Sequence, residues 1–390
     1  MAINGKRLMK INTVDVKQKY IAIVAGTGSY NDLGVIRSLG EKRIPVYYVT
    51  DKEHVFPIHK SKYIVQTIYC IMSEKALVDA IKTLCAQQRA YGVVFPTSDI
   101  TALYLDRNYE DLKDICFSSH AHGRLEEEMD KLQMVNRAVE AGLNVPSSQA
   151  ADARELPESI KFPCIIKPLA SAFGEKSDIA VCHNSDDLSS AVKVYVEKGN
   201  VHILIQDLVT DVRHEIAVPG LSLPNGEVII KGVVIKRCVM GNGSTVYGEY
   251  FIDEHSALYE KIKKYIQSVG YVGIFDMEFL LDNSDEYHFI ECNYRNGAYG
   301  YAVTFAGFNM PFLFFQAITS QPWNKPKRLQ SVVFMEERSY ILNLTQKRMT
   351  VWHWFKDVLS TDVFLWLNRR DLRPYIRVPH FVKKLFTKGS

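Results

Sequence analysis

Two acidic residues and an amide are spaced so that they could hold a metal ion. Glu278 lies in an apolar run, and Glu291 and Asn293 lie in a second run that begins after the turn-forming residues 282–285. Because side chains alternate across a strand, these three would share one face of a hairpin. Carboxylate and amide oxygens among apolar neighbours are costly without a cation, and such hard ligands suit Mg²⁺. The sequence therefore predicts a hairpin that carries an Mg²⁺ site.

The position of the turn also predicts the register of this hairpin. Close pairing around residues 282–285 places Glu278 opposite Phe289 and Glu291 opposite Asp276. The two glutamates would then be diagonal neighbours, about 5–8 Å apart. Arg295 would bring a positive charge to the same end of the site. The alternative interpretation is an ordinary hairpin whose charged face is solvated.

Composition narrows the class of protein. A chain of 390 residues with 47% hydrophobic and 23% charged residues is typical of a globular protein with two or three domains. A net charge of +3 argues against a general nucleic-acid binder. The seven cysteines are scattered and form no CxxC motif, which favours reduced thiols. The opening residues lack the apolar stretch of a signal peptide, so a cytoplasmic location is expected.

Strand and helix signals alternate over residues 20–118, and this pattern predicts a parallel α/β domain. Gly26-Thr-Gly28 after the first strand suggests a dinucleotide site, but Asn31 stands where the third glycine of that motif belongs. A tight turn in any parallel α/β domain explains the glycines equally well. Ser98 and Asp99 follow the strand at 92–95, where such sheets bind ligands. They are predicted to contact a substrate, to cap a helix, or both.

The middle of the chain places lysines beside predicted strands and loops. A helix is predicted over 129–141, and it begins with Asp130-Lys131. Lys167 ends the apolar strand 162–168 and precedes a loop of small residues at 170–177. The next predicted strands cover 203–209 and 213–218. A lone lysine at a strand end is more often a surface residue, so the order of these segments carries the argument.

In this order, the segments from about residue 20 to residue 320 resemble the ATP-grasp superfamily. Within it they are similar to carbamoyl-phosphate-synthase-like and D-aspartate-ligase-like carboxylate–amine ligases. The resemblance implies an N-terminal pre-ATP-grasp α/β domain over 1–118, then an α+β ATP-grasp domain over 119–325 with lobes at 119–205 and 206–325. Residues 326–390 would form a C-terminal extension.

The resemblance also implies roles for individual residues. Lys131 and Lys167 would bind phosphates, and the loop with Lys176 would cover them as part of the catalytic machinery. The adenine-binding hinge and the acid that follows it would be Gln206, Asp207, Leu208, Val209 and Glu215. Glu278, Glu291 and Asn293 would hold Mg²⁺, and Arg295 would contact an acyl phosphate. Lys236 and Arg237 are further candidates for binding a substrate carboxylate.

The function implied is an ATP- and Mg²⁺-dependent ligase that joins a small-molecule carboxylate to an amine through an acyl phosphate. Its setting would be the metabolism of cell-wall or surface-polymer precursors, and a homo-oligomer is compatible with the sequence. The alternative is a non-catalytic or regulatory nucleotide-binding protein on the same fold, which the intact set from Glu278 to Arg295 disfavours.

The C-terminal segment has two interpretations. Apolar and aromatic residues dominate 352–367, and seven basic residues follow Trp366 with only Asp371 to oppose them. An apolar segment beside a basic one is typical of peripheral contact with an anionic membrane, which here would involve residues 350–390 at the inner face. The alternative is a helix packed on the core with a solvated basic end.

Overall fold

The computed structural model describes residues 18–51, 57–169, 179–199, 201–240, 244–253, 256–322 and 328–376. Lys176 and most of the predicted phosphate-covering loop lie outside these ranges, as do residues 377–390. Three β-sheets organise the described chain.

The first sheet is parallel, with five strands in the order β3–β2–β1–β4–β5. The strands are β1 (Tyr20–Ala25), β2 (Val46–Thr50), β3 (Ile64–Tyr69), β4 (Tyr91–Pro96) and β5 (Cys116–Ser118). The helices of this region are α1 (Tyr30–Gly40), α2 (Glu74–Gln88), α3 (Asp99–Arg107) and α4 (Tyr109–Leu112). Alternate side chains of β1 enter apolar clusters on opposite faces of the sheet, so the predicted parallel α/β architecture is confirmed.

The connection from β1 moves to one side of this sheet and the connection from β4 to the other. Ligands bind at such a switch point, beyond the carboxyl ends of the strands. Residues 26–29 follow β1 and residues 97–99 follow β4. The first domain therefore offers the ends of these two strands to the rest of the molecule.

The second sheet is antiparallel, with four strands in the order β6–β9–β7–β8. Its strands are β6 (Ser148–Asp152), β7 (Cys164–Pro168), β8 (Ala180–Cys182) and β9 (His202–Asp207). Short helix α5 (Leu125–Glu128) precedes it, followed by α6 (Lys131–Glu140), and α7 (Ser185–Glu197) lies between β8 and β9. Asp130 caps α6 by accepting the backbone N–H groups of Leu132 and Gln133, which fixes the start of the helix at Lys131.

The third sheet has eight strands. Seven follow the order β15–β14–β10–β12–β13–β16–β17, and β11 pairs with β10. They are β10 (Val212–Ser222), β11 (Val228–Ile230), β12 (Val233–Val239), β13 (Thr245–Phe251), β14 (Gly273–Asp282), β15 (Tyr287–Asn293), β16 (Val332–Met335) and β17 (Val363–Phe364). Its helices are α8 (Ser256–Val269), α9 (Gly300–Phe305) and α10 (Met310–Ile318). One apolar cluster joins α1, α9 and α10 to the first and third sheets.

The C-terminal segment completes the third sheet and adds helices α11 (Glu337–Tyr340), α12 (Leu342–Thr345) and α13 (Val351–Ser360). Trp366 is buried in the main apolar cluster, so part of this segment packs on the core. Arg37 of α1 forms a buried ion pair with Asp371 (Nε–Oδ2 3.2 Å). In the ranges that the structure describes, no helix is long and apolar enough to span a membrane.

Candidate active site

The hairpin β14–β15 carries the predicted carboxylates, but in a different register from the one that the turn predicts. Glu278 pairs directly with Glu291, and Asp276 pairs with Asn293. The expected pairing of Glu278 with Phe289 was wrong for two reasons: the strands already pair one residue out of the predicted register at the turn, with Leu281 opposite Tyr287, and a β-bulge between Glu278 and Phe279 adds a second residue. The shared face was predicted correctly, and direct pairing brings the two glutamates closer than diagonal neighbours would be.

Asp276 adds a fourth polar group to this face, and the sequence reasoning did not include it in the site. Its side chain is buried, and the hydroxyl of Tyr299 donates to both carboxylate oxygens at 2.6 Å. Burial, together with the negative charge of Glu278, raises the pKa of Asp276 to about 6. The two-residue spacing from Glu278 was the signal that could have identified it.

Lys236 supplies the positive charge that balances these carboxylates. Its ammonium lies 2.6 Å from Glu278 Oε2 and 3.7 Å from Glu215 Oε2. Burial opposes the charged form, but the carboxylates around it, above all Glu278, raise the pKa of Lys236 above its usual value. Of the two basic neighbours considered from the sequence, Lys236 enters the cluster, whereas Arg237 forms an ion pair with Glu249.

Arg295 connects the hairpin face to the first domain. Its Nε lies 3.2 Å from Asp99 Oδ1, and it donates to Asn293 Oδ1 at 3.1 Å. Burial disfavours the charged guanidinium, but Asp99 and the hairpin carboxylates hold the pKa of Arg295 above its usual value. Asp99 stands at the start of α3, so the switch point of the first sheet faces the carboxylate hairpin here. Ser98 caps α3 through Thr101, as one of its two interpretations predicted.

Lys131 at the start of α6 and Lys167 in β7 lie close enough for their charges to influence each other. Burial and, to a smaller extent, the charge of Lys131 lower the pKa of Lys167 to about 8, with Glu291 of the hairpin acting in the opposite direction. Lys167 Nζ donates to Gln206 Oε1 at 3.1 Å, and Gln206 Nε2 donates to Ser148 Oγ at 2.7 Å. These contacts hold Lys167 at the end of β7, where its ammonium could bind a polyanion.

The predicted hinge follows directly from β9. Backbone N–H groups of Asp207 and Leu208 donate to the carbonyls of Ser147 and Pro163. The Asp207 carboxylate forms an ion pair with Lys161 at 3.0 Å. Val209 continues this connection toward β10, which carries Glu215. The hinge residues therefore lie between the second and third sheets, which hold the lysines and the carboxylates respectively.

The glycines of the first domain have a structural explanation. The Asp32 carboxylate accepts from Gly28 N, Tyr48 Oη and Thr97 Oγ1 at 2.6–2.7 Å. A Cβ on Gly26 would lie 2.4 Å from Asp32 and Thr97, so the turn has room only for glycine. Packing around Asp32 accounts for this turn without a dinucleotide.

Asn31, the residue that breaks the dinucleotide motif, ties the first domain to the loop after the hairpin. Its Nδ2 donates to the carbonyls of Thr97 (2.9 Å) and Asn296 (2.7 Å), and Asn296 Nδ2 donates back to Asn31 Oδ1 at 2.6 Å. All these groups are buried. Because Asn296 follows Arg295, this pair holds the backbone that presents the guanidinium.

The oxygen donors of the hairpin fit Mg²⁺. Within the described residues no group of three or more His, Cys, Asp or Glu side chains forms a complete metal site. Two facing carboxylates, Glu278 and Glu291, with the amide of Asn293 beside them, leave positions open for other oxygens. Mg²⁺ is commonly held in this way, by one or two carboxylates together with phosphate oxygens and water.

Comparison with known proteins agrees with this geometry. Residues 125–304 match the family model described as the ATP-binding domain of the carbamoyl-phosphate synthase L chain. Among curated proteins, none matches the sequence. This chain has the ATP-grasp fold. The ATP-grasp resemblance inferred from the order of its segments is thereby confirmed.

Three solved ATP-grasp structures illustrate the likeness. Biotin carboxylase from Campylobacter jejuni superposes with a TM-score of 0.64 at 19% identity, over 80% of this chain and 74% of that one. L-amino acid ligase from Bacillus licheniformis superposes with a TM-score of 0.63 at 16% identity, over 81% of this chain and 79% of that one. N5-carboxyaminoimidazole synthetase from Staphylococcus aureus has a TM-score of 0.64 at 17% identity, over 85% of this chain and 87% of that one. The likeness therefore includes the first domain as well as the segment matched by the family model.

Proposed function

We propose that this chain is an ATP- and Mg²⁺-dependent ligase that joins a small-molecule carboxylate to an amine. The observation that carries the proposal is the meeting of three groups at one place. The facing carboxylates of Glu278 and Glu291 lie on the hairpin, and Arg295 contacts both Asn293 of that hairpin face and Asp99 at the switch point of the first sheet. The C. jejuni relative was solved with a β,γ-ATP ligand, and the B. licheniformis relative is an L-amino acid ligase.

The proposal places the nucleotide between the second and third sheets. Lys131 and Lys167 bind its phosphates, the hinge at 206–209 holds the adenine, and Glu215 lies near the ribose. Mg²⁺ on Glu278, Glu291 and Asn293 would neutralise phosphate charge and align the oxygens. Burial above all lowers the pKa of Lys167, and phosphate oxygens beside its ammonium would favour the charged form again.

The proposed reaction has two steps, and the positions of Arg295 and Lys236 suit the negative charge that develops in it. The substrate carboxylate attacks the γ-phosphorus of ATP, ADP leaves, and an acyl phosphate forms. The amine then attacks the acyl carbon, phosphate leaves, and the nitrogen loses a proton. Arg295 and Lys236 stabilise the charge that develops on the transferred phosphoryl group. Lys176 would act from the covering loop, and Asp99 lies where the incoming substrates meet Arg295.

The setting is part of the same proposal. The ligase would work in the cytoplasm, at the inner face of the membrane, on precursors of the cell wall or of surface polymers. Support comes from the C-terminal segment, whose exposed aromatic and basic residues suit a membrane-proximal enzyme. A homo-oligomeric assembly stays a prediction.

The direct test is phosphate release from Mg-ATP with a panel of carboxylic acids and amines, with hydroxylamine added to trap any acyl phosphate as a hydroxamate. We expect an acid-dependent hydroxamate and an amide with the natural amine. Phosphate release without any acid-dependent product would contradict the ligase assignment. No ATP turnover with intact ATP binding would support the non-catalytic alternative.

A matched variant separates the site from the rest of the surface. Arg107 is an ion-paired, partly exposed arginine on α3, similar to Arg295 in exposure but outside the site. Arg107→Lys is expected to keep the wild-type rate of hydroxamate formation, whereas Arg295→Lys should lose most of it. Equal loss in both variants would point to a general effect on stability.

A further inference from the structure

Exposed apolar side chains are concentrated in the C-terminal segment. Of the twenty large apolar side chains that are exposed in the described chain, nine lie within residues 341–376. Scattered single examples need no explanation, but a contiguous exposed patch usually marks an interaction surface. Helix α13 contributes four of the nine, namely Val351, Trp352, Phe355 and Leu359.

The two sides of α13 differ in what they contact. Trp354 and Val358 pack against the apolar cluster around Tyr247 and Tyr340, and so hold the helix on the protein. The outer residues Val351, Phe355, Leu359 and Trp352 fall within an arc of about 100° on a helix of 3.6 residues per turn. Trp352 is 72% exposed and Leu359 71% exposed, although a helix of a globular protein normally buries its apolar arc. The outer arc of α13 is therefore a continuous apolar strip that is exposed to solvent.

The exposed charge of the segment 341–376 is mainly positive. Six basic side chains within 341–376 are exposed: Lys347, Arg348, Lys356, Arg369, Arg370 and Arg373. Of the three acidic residues of the same segment, Asp371 is buried in an ion pair, and the other two accept hydrogen bonds from neutral groups and keep their charge. Asp357 accepts from Tyr340 Oη, Asp362 from Val333 N, and Asp371 from Arg37. Six exposed basic side chains therefore outnumber the two remaining carboxylates, Asp357 and Asp362, and the net charge of this surface is positive.

The sequence shows that this charge is local. Residues 341–390 contain ten basic and three acidic residues, whereas the remaining 340 residues contain 37 basic and 41 acidic ones. Across a symmetric contact, a second copy of the chain would bring two such basic surfaces together, which is unfavourable. An anionic lipid surface offers both the opposite charge and an apolar layer for the aromatic side chains.

We propose that the outer face of α13, with the basic side chains around it, is a docking surface for a membrane that contains anionic lipids. The helix would lie in the plane of the interface, with Trp352, Phe355 and Leu359 entering the boundary between headgroups and acyl chains. Lys356, Arg369 and Arg370 would contact the lipid phosphates. This surface deepens the membrane setting given under the proposed function and rests on it, but the binding is peripheral and reversible and can be measured without the ligase reaction.

The test is co-sedimentation of the full-length protein with vesicles of phosphatidylcholine alone or of phosphatidylcholine mixed with phosphatidylglycerol. We expect binding to the mixed vesicles, release as salt is raised, and little binding to phosphatidylcholine alone. W352A/F355A/L359A should weaken binding about tenfold or more, because exposed apolar area is lost. R369Q/R370Q should weaken binding to the mixed vesicles and reduce the effect of salt.

The matched control is V65A/I71A, which removes two exposed apolar side chains from the first domain. It should bind vesicles as the wild type does, and circular dichroism should show all variants folded. Wild-type binding by W352A/F355A/L359A, or equal binding to both kinds of vesicle, would overturn the proposal. A wild-type dimer that dissociates in W352A/F355A/L359A would also overturn the proposal, because a second copy would then cover this face. Vesicle binding that appears only after residues 377–390 are removed would do so too, because that segment would then be the occupant.

Discussion

Two arginine–aspartate pairs connect the first domain to later parts of the chain, and they differ in what surrounds them. Arg37 and Asp371 are both fully buried. The Arg37 guanidinium also donates to the carbonyls of Leu365 and Trp366, and Asp371 also accepts from Ser61 Oγ and Lys62 N. Both side chains are bonded to other groups of the protein, and the pair holds the C-terminal segment on α1.

Arg295 and Asp99 form the contrasting pair. Their side chains are 20% and 35% exposed, and the guanidinium contacts span 3.1–3.5 Å. Around them stand the carboxylates of the hairpin face and the ends of β1 and β4. Loose, accessible contacts leave the guanidinium free to form shorter bonds with phosphate or carboxylate oxygens. The same residue types therefore serve structure in one place and, in our proposal, chemistry in the other.

The largest effect is expected from the buried pair. Arg37→Ala leaves the Asp371 carboxylate buried without its counter-charge, which should lower the free energy of unfolding by about 3–5 kcal/mol. Denaturant unfolding followed by circular dichroism measures this change. If Arg37→Ala unfolded with the wild-type midpoint and slope, the pair would not be the structural contact described here.

Arg295→Lys should produce the opposite pattern. It keeps the positive charge but not the forked donors, so stability and Mg-ATP binding should change little. Turnover should fall on the order of 10²–10³-fold, as when one donor to a developing oxyanion is lost. Unchanged turnover with much weaker ATP binding would make Arg295 a ground-state anchor for phosphate.

Lys167 extends the comparison to pH. Its pKa of about 8 in the free protein means that it loses its proton as pH rises through 8, whereas an unfolded lysine keeps its proton to about pH 10. Phosphates favour the charged form, so Mg-ATP affinity should fall above pH 8, by up to about tenfold per pH unit, with uptake of a proton. For the same reason Lys167 should add stability to the ligand-free fold as pH rises from about 8 to about 10. Titration calorimetry in two buffers of different ionisation enthalpy measures the protons taken up with Mg-ATP. Lys167→Arg should remove the pH dependence of Mg-ATP affinity. A wild-type affinity that does not change between pH 7 and pH 10 would contradict this role of Lys167.

The sequence predicted the local patterns well, and long-range contacts poorly. Alternation along β14 and β15 identified the shared face of Glu278, Glu291 and Asn293, because that signal lies within each strand. The register was wrong because the turn pairs Leu281 with Tyr287, one residue beyond the prediction, and because no residue type marks the bulge between Glu278 and Phe279. The buried pair of Arg37 and Asp371 spans 334 positions and leaves no spacing to read.

The C-terminal segment shows the same division. Its aromatic and basic composition allowed both packing on the core and contact with a membrane, and the structure shows core packing for only part of the segment. Trp366 packs in the core, whereas Trp352 faces outward. Which tryptophan is buried depends on how β17 and α13 meet the third sheet, and composition does not determine that.

The central claim is that Glu278 and Glu291 hold Mg²⁺ on bound ATP, and Glu291→Gln tests it most directly. Glu278 also neutralises the buried Lys236, so its substitution would disturb the fold, whereas no ion pair involves Glu291 within the described residues. The measurement is the melting temperature with ATP, with and without Mg²⁺, and with NAD. We expect Mg-ATP but not NAD to stabilise the wild type, and Glu291→Gln to keep the ligand-free melting temperature while losing the Mg²⁺-dependent increase. An undiminished Mg²⁺-dependent increase in Glu291→Gln, or stabilisation of the wild type by NAD and not by ATP, would contradict the assignment.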